Sequence, residues 1–141
     1  CVAGSKAAPP RVVEDCEALL KDKMTPEAKL PDVFLARAEA FARQGRLASA
    51  IEDLDNVIRR LPDSAHAFAL RAALYRATGE PERSLTDSNE SIRLDPGKAD
   101  VFGGRGNAFH ALNQFDRAIE DYNEALRLDP KNAQAFSDRG A

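Results

Sequence analysis

Large apolar residues recur along this chain with a period of 34 residues. The first of each set is a phenylalanine: Phe34, Phe68, Phe102 and Phe136. In the first three sets a small residue follows four positions later and a Phe or Tyr follows seven positions later. Apolar positions at i, i+4 and i+7 lie on one face of a helix. The pattern therefore predicts an amphipathic helix at the start of each repeat.

The second half of each repeat carries another apolar stretch of helical period, such as Ala50, Ile51, Leu54 and Val57 in the first repeat. The two stretches are separated by residue types that enter the left-handed conformation at a helix end with little steric cost: Gly45, Gly79 and Asn113. A proline, which cannot continue a helix, follows each second stretch: Pro62, Pro96 and Pro130. These signals predict tandem helix-turn-helix units.

Smaller signals place the helix starts. Ser64 and Asn132 stand where a side-chain oxygen caps the next helix, and Pro81 suits a first helical turn. Thr25 followed by Pro26 also indicates a helix start, so the first long helix begins at either Pro26 or Pro31. Before it, residues 11–20 have the pattern of a second helix without its first, with these apolar positions: Val12, Val13, Cys16 and Leu19.

At these residues the chain resembles the tetratricopeptide repeat family. The family motif has an aromatic residue, a small residue four later, a Tyr or Phe three after that, and then small, aromatic, small and Pro. The third repeat fills the slots in order: Phe102, Gly106, Phe109, Ala118, Tyr122, Ala125 and Pro130. Phe replaces the usual Trp, Arg replaces Leu at the seventh position, and Ser84, Ser88 and Ser91 depart from the motif in the second repeat.

The resemblance, over residues 31–141, implies an all-α fold, a right-handed superhelical solenoid of helix-turn-helix repeats. The expected organisation is an N-terminal arm with a capping helix over 1–30, repeats over 31–64, 65–98 and 99–132, and the first helix of a truncated fourth repeat over 133–141. In a solenoid each unit packs mainly on its neighbours. We expect residues 133–141 to cover the apolar side of the third repeat.

Charged residues are repeated as well. An aspartate recurs in the second helix (Asp15, Asp53, Asp87 and Asp121), and an arginine recurs in the first helix (Arg37, Arg71, Arg105 and Arg139). We predict Asp–Arg pairs, between or within repeats, with a structural role, because partly buried pairs set register. Arg59, Arg93 and Arg127 also recur, and we place them near helix ends, where a cation suits the helix dipole.

The unrepeated positions are the candidates for ligand binding. In the family the first helices line the concave face, which implies the following residues here: Asp32, Leu35, Glu39, Ala42, Arg43, His66, Ala69, Ala73, Arg76, Ala77, Asp100, Gly103, Asn107, His110, Ala111, Gln134 and Ser137. From these we select Glu39, Arg43, His66, Arg76, Asn107 and His110 as the candidate ligand-binding residues. Four of them, Arg43, Arg76, Asn107 and His110, are donors suited to a peptide backbone or an acidic side chain.

One subset of the family binds the terminal carboxylate of chaperone peptides through Lys and Asn in set places. Other residue types fill those places here: Leu35, Glu39, Leu70, Asp100 and Gly104. This carboxylate clamp is therefore not expected. Gly103, Gly104 and Gly106 lie inside a predicted helix with no strand before them, which argues against a phosphate loop. Gly106 has a packing role at the small slot, and we hypothesise that Gly103 and Gly104 hollow the groove.

Composition limits the other function classes. A net charge of −3 leaves no general attraction to phosphate backbones, so we expect no nucleic-acid partner. No apolar run approaches the roughly 20 residues of a transmembrane helix. His66 and His110 are the two histidines, and no metal-ligand spacing or Gly-x-Ser-x-Gly turn occurs. We therefore expect no catalytic residues, no metal and no cofactor.

Cys1 and Cys16 are the two cysteines, and three interpretations stay open. A disulfide between them would tie down the N-terminal arm and would indicate an exported or periplasmic protein. Alternatively, Cys16 is a buried apolar residue in a cytoplasmic protein and Cys1 is incidental. In the third interpretation, Cys1 is a lipid-modified first residue. Mass analysis without reductant tests the disulfide, which two free thiols would contradict.

The leading functional hypothesis is a non-enzymatic protein-interaction module or scaffold that binds a peptide or protein in its concave groove. The alternative is a structural role in which copies self-associate through the open ends of the solenoid, above all the truncated C-terminal end.

Overall fold

The computed structural model describes residues 9–131, with side chains from residue 12 onward. The described chain consists of helices joined by turns. The seven α-helices are α1 (Pro9–Lys21), α2 (Leu30–Arg43), α3 (Leu47–Arg60), α4 (Ala65–Ala77), α5 (Pro81–Leu94), α6 (Ala99–Ala111) and α7 (Phe115–Leu128). A 3-10 helix, Glu27–Lys29, precedes α2. The described residues divide into two compact units between Ala67 and Phe68, within α4.

In the first unit, α2 packs against both α1 and α3. The apolar positions expected in residues 11–20 face this core, where Val12 and Val13 are buried and Cys16 is fully buried. Phe41 of α2 and Leu54 of α3 are buried in the same unit. The residue predicted as the disulfide partner of Cys16, Cys1, lies outside the described residues, so that disulfide stays a prediction.

The start of α2 agrees with the second sequence-based alternative, Pro31, to within one residue. Pro26 precedes the 3-10 helix, and α2 itself begins at Leu30 with Pro31 in its first turn. The Thr25 hydroxyl, expected to start a helix, instead donates a hydrogen bond to the Leu19 carbonyl at 2.8 Å. Thr25 therefore fastens the connecting segment to the end of α1.

The turns inside the helix pairs follow the residue types that the sequence provides. Gly45 (φ 74°), Gly79 (φ 79°) and Asn113 (φ 61°) have the positive φ expected of them. Pro81 is the first residue of α5, as predicted. The Ser64 hydroxyl accepts a hydrogen bond from the Ala67 amide at 3.2 Å and so caps α4, also as predicted. Asn132, the other predicted cap, lies outside the described residues.

In the second unit, α5 and α7 both pack against α6. The Tyr122 ring of α7 is buried against Gly106 of α6, where a Cβ on the glycine would lie 2.5 Å from Tyr122 Cε1. Gly106 thus has the packing role predicted for the small slot. The inner face of α5 is polar, because Ser84, Ser88 and Ser91 are buried there.

Candidate functional site

The repeated arginines and aspartates pair within a repeat and not between repeats. Each arginine donates from Nε and Nη2 to the two oxygens of one aspartate sixteen residues later, and the six donor–acceptor distances lie between 2.6 and 2.8 Å. The pairs are Arg37–Asp53, Arg71–Asp87 and Arg105–Asp121. The Nε and Nη2 donors of these arginines are therefore engaged within the protein and are not available to bind a ligand.

One predicted member of this set does not join it. Asp15 was a candidate partner of Arg37, but Asp15 is exposed on α1 and Arg37 pairs with Asp53. Arg139 lies outside the described residues.

The same arginines pack between aromatic rings of their own helices. The guanidinium carbon of Arg105 lies 5.4 Å from the centre of the Phe102 ring and 5.8 Å from that of Phe109. Arg37 and Arg71 repeat this contact with the flanking rings of α2 and α4. A guanidinium over aromatic faces gains a cation–π attraction. The arginine that departs from the family motif at the seventh position thus has a packing reason.

In the Arg37–Asp53 pair, burial and ion pairing have opposite effects on the pKa of the carboxyl. Burial raises the pKa of the Asp53 carboxyl, and the hydrogen bonds and charge of Arg37 oppose that rise. The hydrogen bonds to Asp53 in turn raise the pKa of Arg37. Because Asp53 is only 1% exposed, its carboxylate has little access to a ligand.

Three candidate ligand-binding residues belong to the first unit. His66 Nε2 lies 3.5 Å from Glu39 Oε1, with the His66 side chain 60% exposed and that of Glu39 19% exposed. Arg43 follows Glu39 by one turn of α2 and is exposed. Glu39 and His66 are thus brought together, and the histidine side chain is open to solvent.

The other three candidates belong to the second unit, and each has a neighbour that the sequence did not reveal. The Arg76 guanidinium lies above Gly104, with Nη1 2.7 Å from where a Cβ of that residue would be. The Tyr122 hydroxyl donates to Asn107 Oδ1 at 2.6 Å. The His110 ring makes an edge contact with Phe115 at a centroid distance of 5.1 Å.

Gly104 corrects one sequence-based inference. We hypothesised that Gly103 and Gly104 both hollow the groove, but the space at Gly104 is occupied by the Arg76 guanidinium. Gly103 does face open space, since a Cβ there would meet no atom within 4 Å. The sequence could not predict the contact of Arg76 with Gly104, because that contact depends on which residue of α4 reaches this turn of α6.

Other surface features lie apart from the candidate residues. A surface pocket at the turn between α6 and α7 is lined by Asn113, Gln114, Phe115, Asp116 and Arg117. Within residues 9–131 no group of three or more His, Cys, Asp or Glu is arranged to hold a metal ion. None of the helices that the structure describes has the length and apolar character needed to cross a membrane.

Comparison with solved structures finds the same fold in known repeat proteins. The first TPR of Spaghetti (RPAP3), bound to the HSP90 peptide SRMEEVD, is 21% identical, with a TM-score of 0.78 over 83% of this chain and 93% of that one. MamA is 20% identical, with a TM-score of 0.82 over 91% and 72% of the two chains. YrrB, described as a TPR protein with an unusual peptide-binding site, is 16% identical, with a TM-score of 0.84 over 94% and 66%. These similarities confirm the expected all-α helical-repeat solenoid class.

Comparison with family models assigns the repeats directly. A model described as "Tetratricopeptide repeat" matches residues 35–99, and one described as "TPR repeat" matches residues 106–141. The comparison with curated proteins gives no match. Since the two models together match more than two thirds of the chain and the fold agrees, the protein belongs to the tetratricopeptide repeat family.

Proposed function

We propose that the protein is a non-catalytic interaction module that binds a peptide or protein segment along the first helices of its repeats, on their concave face. One observation carries the proposal. The repeated charged residues of these helices pair inside the protein, whereas the unrepeated polar residues lie at accessible positions. Residues that vary between repeats and remain accessible are suited to a partner and not to neighbouring repeats.

Each first helix has an accessible face of this kind, which we call its ligand face. The three positions have i, i+4 and i+7 spacing and therefore share one side of the helix. None of the nine residues is buried: Leu35, Glu39 and Ala42 on α2, Ala69, Ala73 and Arg76 on α4, and Gly103, Asn107 and His110 on α6. Small residues among them leave room for a peptide backbone close to the helix.

The similar structures support a peptide as the partner. The RPAP3 domain is bound to an HSP90 peptide, and YrrB is described as having an unusual peptide-binding site. The positions that would clamp a chaperone carboxylate carry Leu35, Glu39, Leu70, Asp100 and Gly104 here. We therefore propose peptide binding by the ligand faces without that clamp, with Arg43, Arg76, Asn107 and His110 as donors.

Selection of peptides from a displayed library, with the whole chain as bait, tests the proposal. We expect enrichment of peptides whose binding is lost in Arg76→Glu and retained in Arg93→Glu. The control arginine lies in the last turn of α5 with a 65% exposed side chain, so both variants make the same change of charge. Equal binding by both variants would exclude the ligand face of α4, and no enrichment by the wild type would exclude peptide binding of this kind.

Self-association is the second candidate function, and exposed apolar residues of α7 favour it. Phe115 is 49% exposed and Ile119 is 46% exposed, one turn apart on the same side of the helix. Light scattering at several protein concentrations tests this role. A mass that stays at one chain throughout would exclude it, whereas a rising mass that Ile119→Ser abolishes would support it.

A further inference from the structure

The Arg76 side chain of α4 lies across the backbone of α6 at Gly104. A Cβ at residue 104 would be 2.7 Å from Arg76 Nη1 and 3.8 Å from its guanidinium carbon. Contacts under 3.0 Å are not tolerated by a Cβ, so an alanine here would force the guanidinium to move. The position of Arg76 therefore depends on the missing side chain of Gly104.

This arrangement has a stability cost that packing alone does not explain. A glycine inside a helix costs roughly 0.5 to 1 kcal/mol relative to alanine. Gly106 offsets that cost by admitting the Tyr122 ring, which is buried. At Gly104 the side chain admitted is a partly exposed cation and not a core residue.

The guanidinium has no anionic partner among the described residues. No salt bridge or side-chain hydrogen bond is formed by Arg76 within residues 9–131, in contrast to Arg71 one helical turn earlier. The ligand face of α4 otherwise consists of Ala69 and Ala73, which carry no charge. On α6, Asp100 is exposed one turn before Gly104 but forms no ion pair with Arg76.

Two other polar groups of α6, those of Asn107 and His110, can donate as well. Asn107 follows Gly104 by three residues and so lies on the adjacent turn of the same surface. Its Oδ1 accepts a hydrogen bond from the Tyr122 hydroxyl. The Nδ2 group of the same amide is then left to donate to a ligand. His110 continues the face by a further turn and is exposed. The surface thus offers one unpaired cation, with the Asn107 amide and the His110 ring further along the same face.

We propose that Arg76, which lies over Gly104, forms a carboxylate-binding subsite together with the Asn107 amide. A guanidinium binds a carboxylate through two parallel hydrogen bonds, which gives orientation as well as attraction. The absence of a side chain at Gly104 lets the guanidinium itself lie close to the backbone of α6. The inference rests on the proposed function and adds to it that the bound segment presents a carboxylate at this point.

Small carboxylates test the subsite without knowledge of the natural partner. The probes are N-acetylglutamate α-amide, which has a side-chain carboxylate, and N-acetylalanine, which has a terminal one, with N-acetylglutamine amide as the uncharged control. NMR spectra of the whole chain are followed at constant ionic strength through the Arg76 Nε–H signal and the residue 104 amide signal. We expect saturable shifts with a carboxylate probe and none with the uncharged probe. The probe with the lower Kd shows whether the subsite prefers a side-chain carboxylate or a terminal one.

Two glycines provide matched variants. Gly104→Ala displaces the Arg76 guanidinium, so the Kd for the carboxylate should rise roughly tenfold, as for loss of one charge-assisted contact. Gly97→Ala, in the turn before α6, meets only Asp95 Oδ1 at 3.6 Å and should leave that Kd unchanged. Arg76→Gln removes the guanidinium without altering α6 and should have the same effect as Gly104→Ala. Circular dichroism checks that each variant is folded.

Each outcome separates this inference from the proposed function. No shift at Arg76 with either carboxylate, or equal Kd values in Gly97→Ala and Gly104→Ala, would overturn the subsite. If library peptides bind through the α4 ligand face but tolerate replacement of every carboxylate by an amide, the proposed function stands and the subsite is wrong. If carboxylates bind at Arg76 and no library peptide is selected, the subsite stands and peptide binding is wrong.

Discussion

Arg71 and Asp87 meet across the turn of one helix pair, with Nε 2.7 Å from Oδ2 and Nη2 2.8 Å from Oδ1. The Asp87 side chain is 4% exposed and that of Arg71 is 19% exposed. Their two parallel hydrogen bonds fix the position of α5 along α4. The pair is the second of three in the described chain, and its contribution to stability can be measured.

Removal of the carboxylate by Asp87→Ala should lower the free energy of unfolding by about 2–3 kcal/mol, because the partly buried Arg71 guanidinium loses the acceptor of its two parallel hydrogen bonds. Urea unfolding followed by circular dichroism gives this value. Glu120→Ala removes an exposed carboxylate from the middle of α7 and should change stability by less than about 0.5 kcal/mol. Equal losses in the two variants would contradict a structural role for the pair.

Two glycines of α6 should respond to alanine with opposite signs. Gly106→Ala places a Cβ 2.5 Å from Tyr122 Cε1 and 3.2 Å from the Ala118 carbonyl oxygen, so the buried ring must shift. We expect a loss of about 1–3 kcal/mol from overpacking. Gly103→Ala meets open space and should stabilise the helix by about 0.5–1 kcal/mol. The prediction fails if thermal unfolding shows the same sign for both.

Alanine substitutions at two serines should change the free energy of unfolding in opposite directions. The Ser84 hydroxyl is buried and has no hydrogen-bond partner among the described residues, so Ser84→Ala should raise the free energy of unfolding by about 1 kcal/mol. Ser64→Ala removes the cap of α4 and should lower it by about 1 kcal/mol. Urea unfolding of the two variants provides the comparison. Destabilisation by Ser84→Ala would show that its hydroxyl has a favourable interaction.

The exposed Glu90–Arg93 pair should be visible in a pH titration. Hydrogen bonds from Arg93 lower the pKa of the Glu90 carboxyl below its ordinary value of 4.5. A lowered pKa in the folded state means that the pair's stabilisation is present above pH 4.5 and is lost as the pH falls through the folded-state pKa.

Carbon NMR of the side-chain carboxyls measures this effect. In Arg93→Gln the pKa of Glu90 should return toward 4.5, because its donor is gone. The pKa of Glu124, lowered in the same way by Arg127 one repeat later, should stay where it is. An unchanged Glu90 pKa in the variant would contradict the assigned cause.

Much of the local structure was predictable because it depends on residues close in sequence. The positive φ of Gly45, Gly79 and Asn113 follows from the few residue types that adopt it cheaply. The helical spacing of the apolar residues predicted the second-helix pattern around Cys16 in α1. The start of α2 was less predictable, since Pro26 and Pro31 both suit a first turn and the 3-10 helix between them has no distinct sequence signal.

The sequence allowed us to predict which candidate residues share a face of one helix. It did not allow us to predict which side chains those residues contact on other helices. The family resemblance implied that Asn107 and His110 belong to this face, and their spacing of three residues places them on neighbouring turns of α6. Neither showed that Asn107 Oδ1 accepts a hydrogen bond from the Tyr122 hydroxyl. Nor did either reveal that Glu39 of α2 meets His66 of α4 at 3.5 Å.

The sequence by itself therefore determined the 34-residue repeat, the helices and turns within it, and the residues left outside the repeated pattern. The tertiary structure decided which side chains meet between helices. It paired Arg37 with Asp53 and not with Asp15, and it laid Arg76 over Gly104. The physical reason is that a period specifies positions along one helix, whereas a contact between helices depends on how far and at what angle two of them approach.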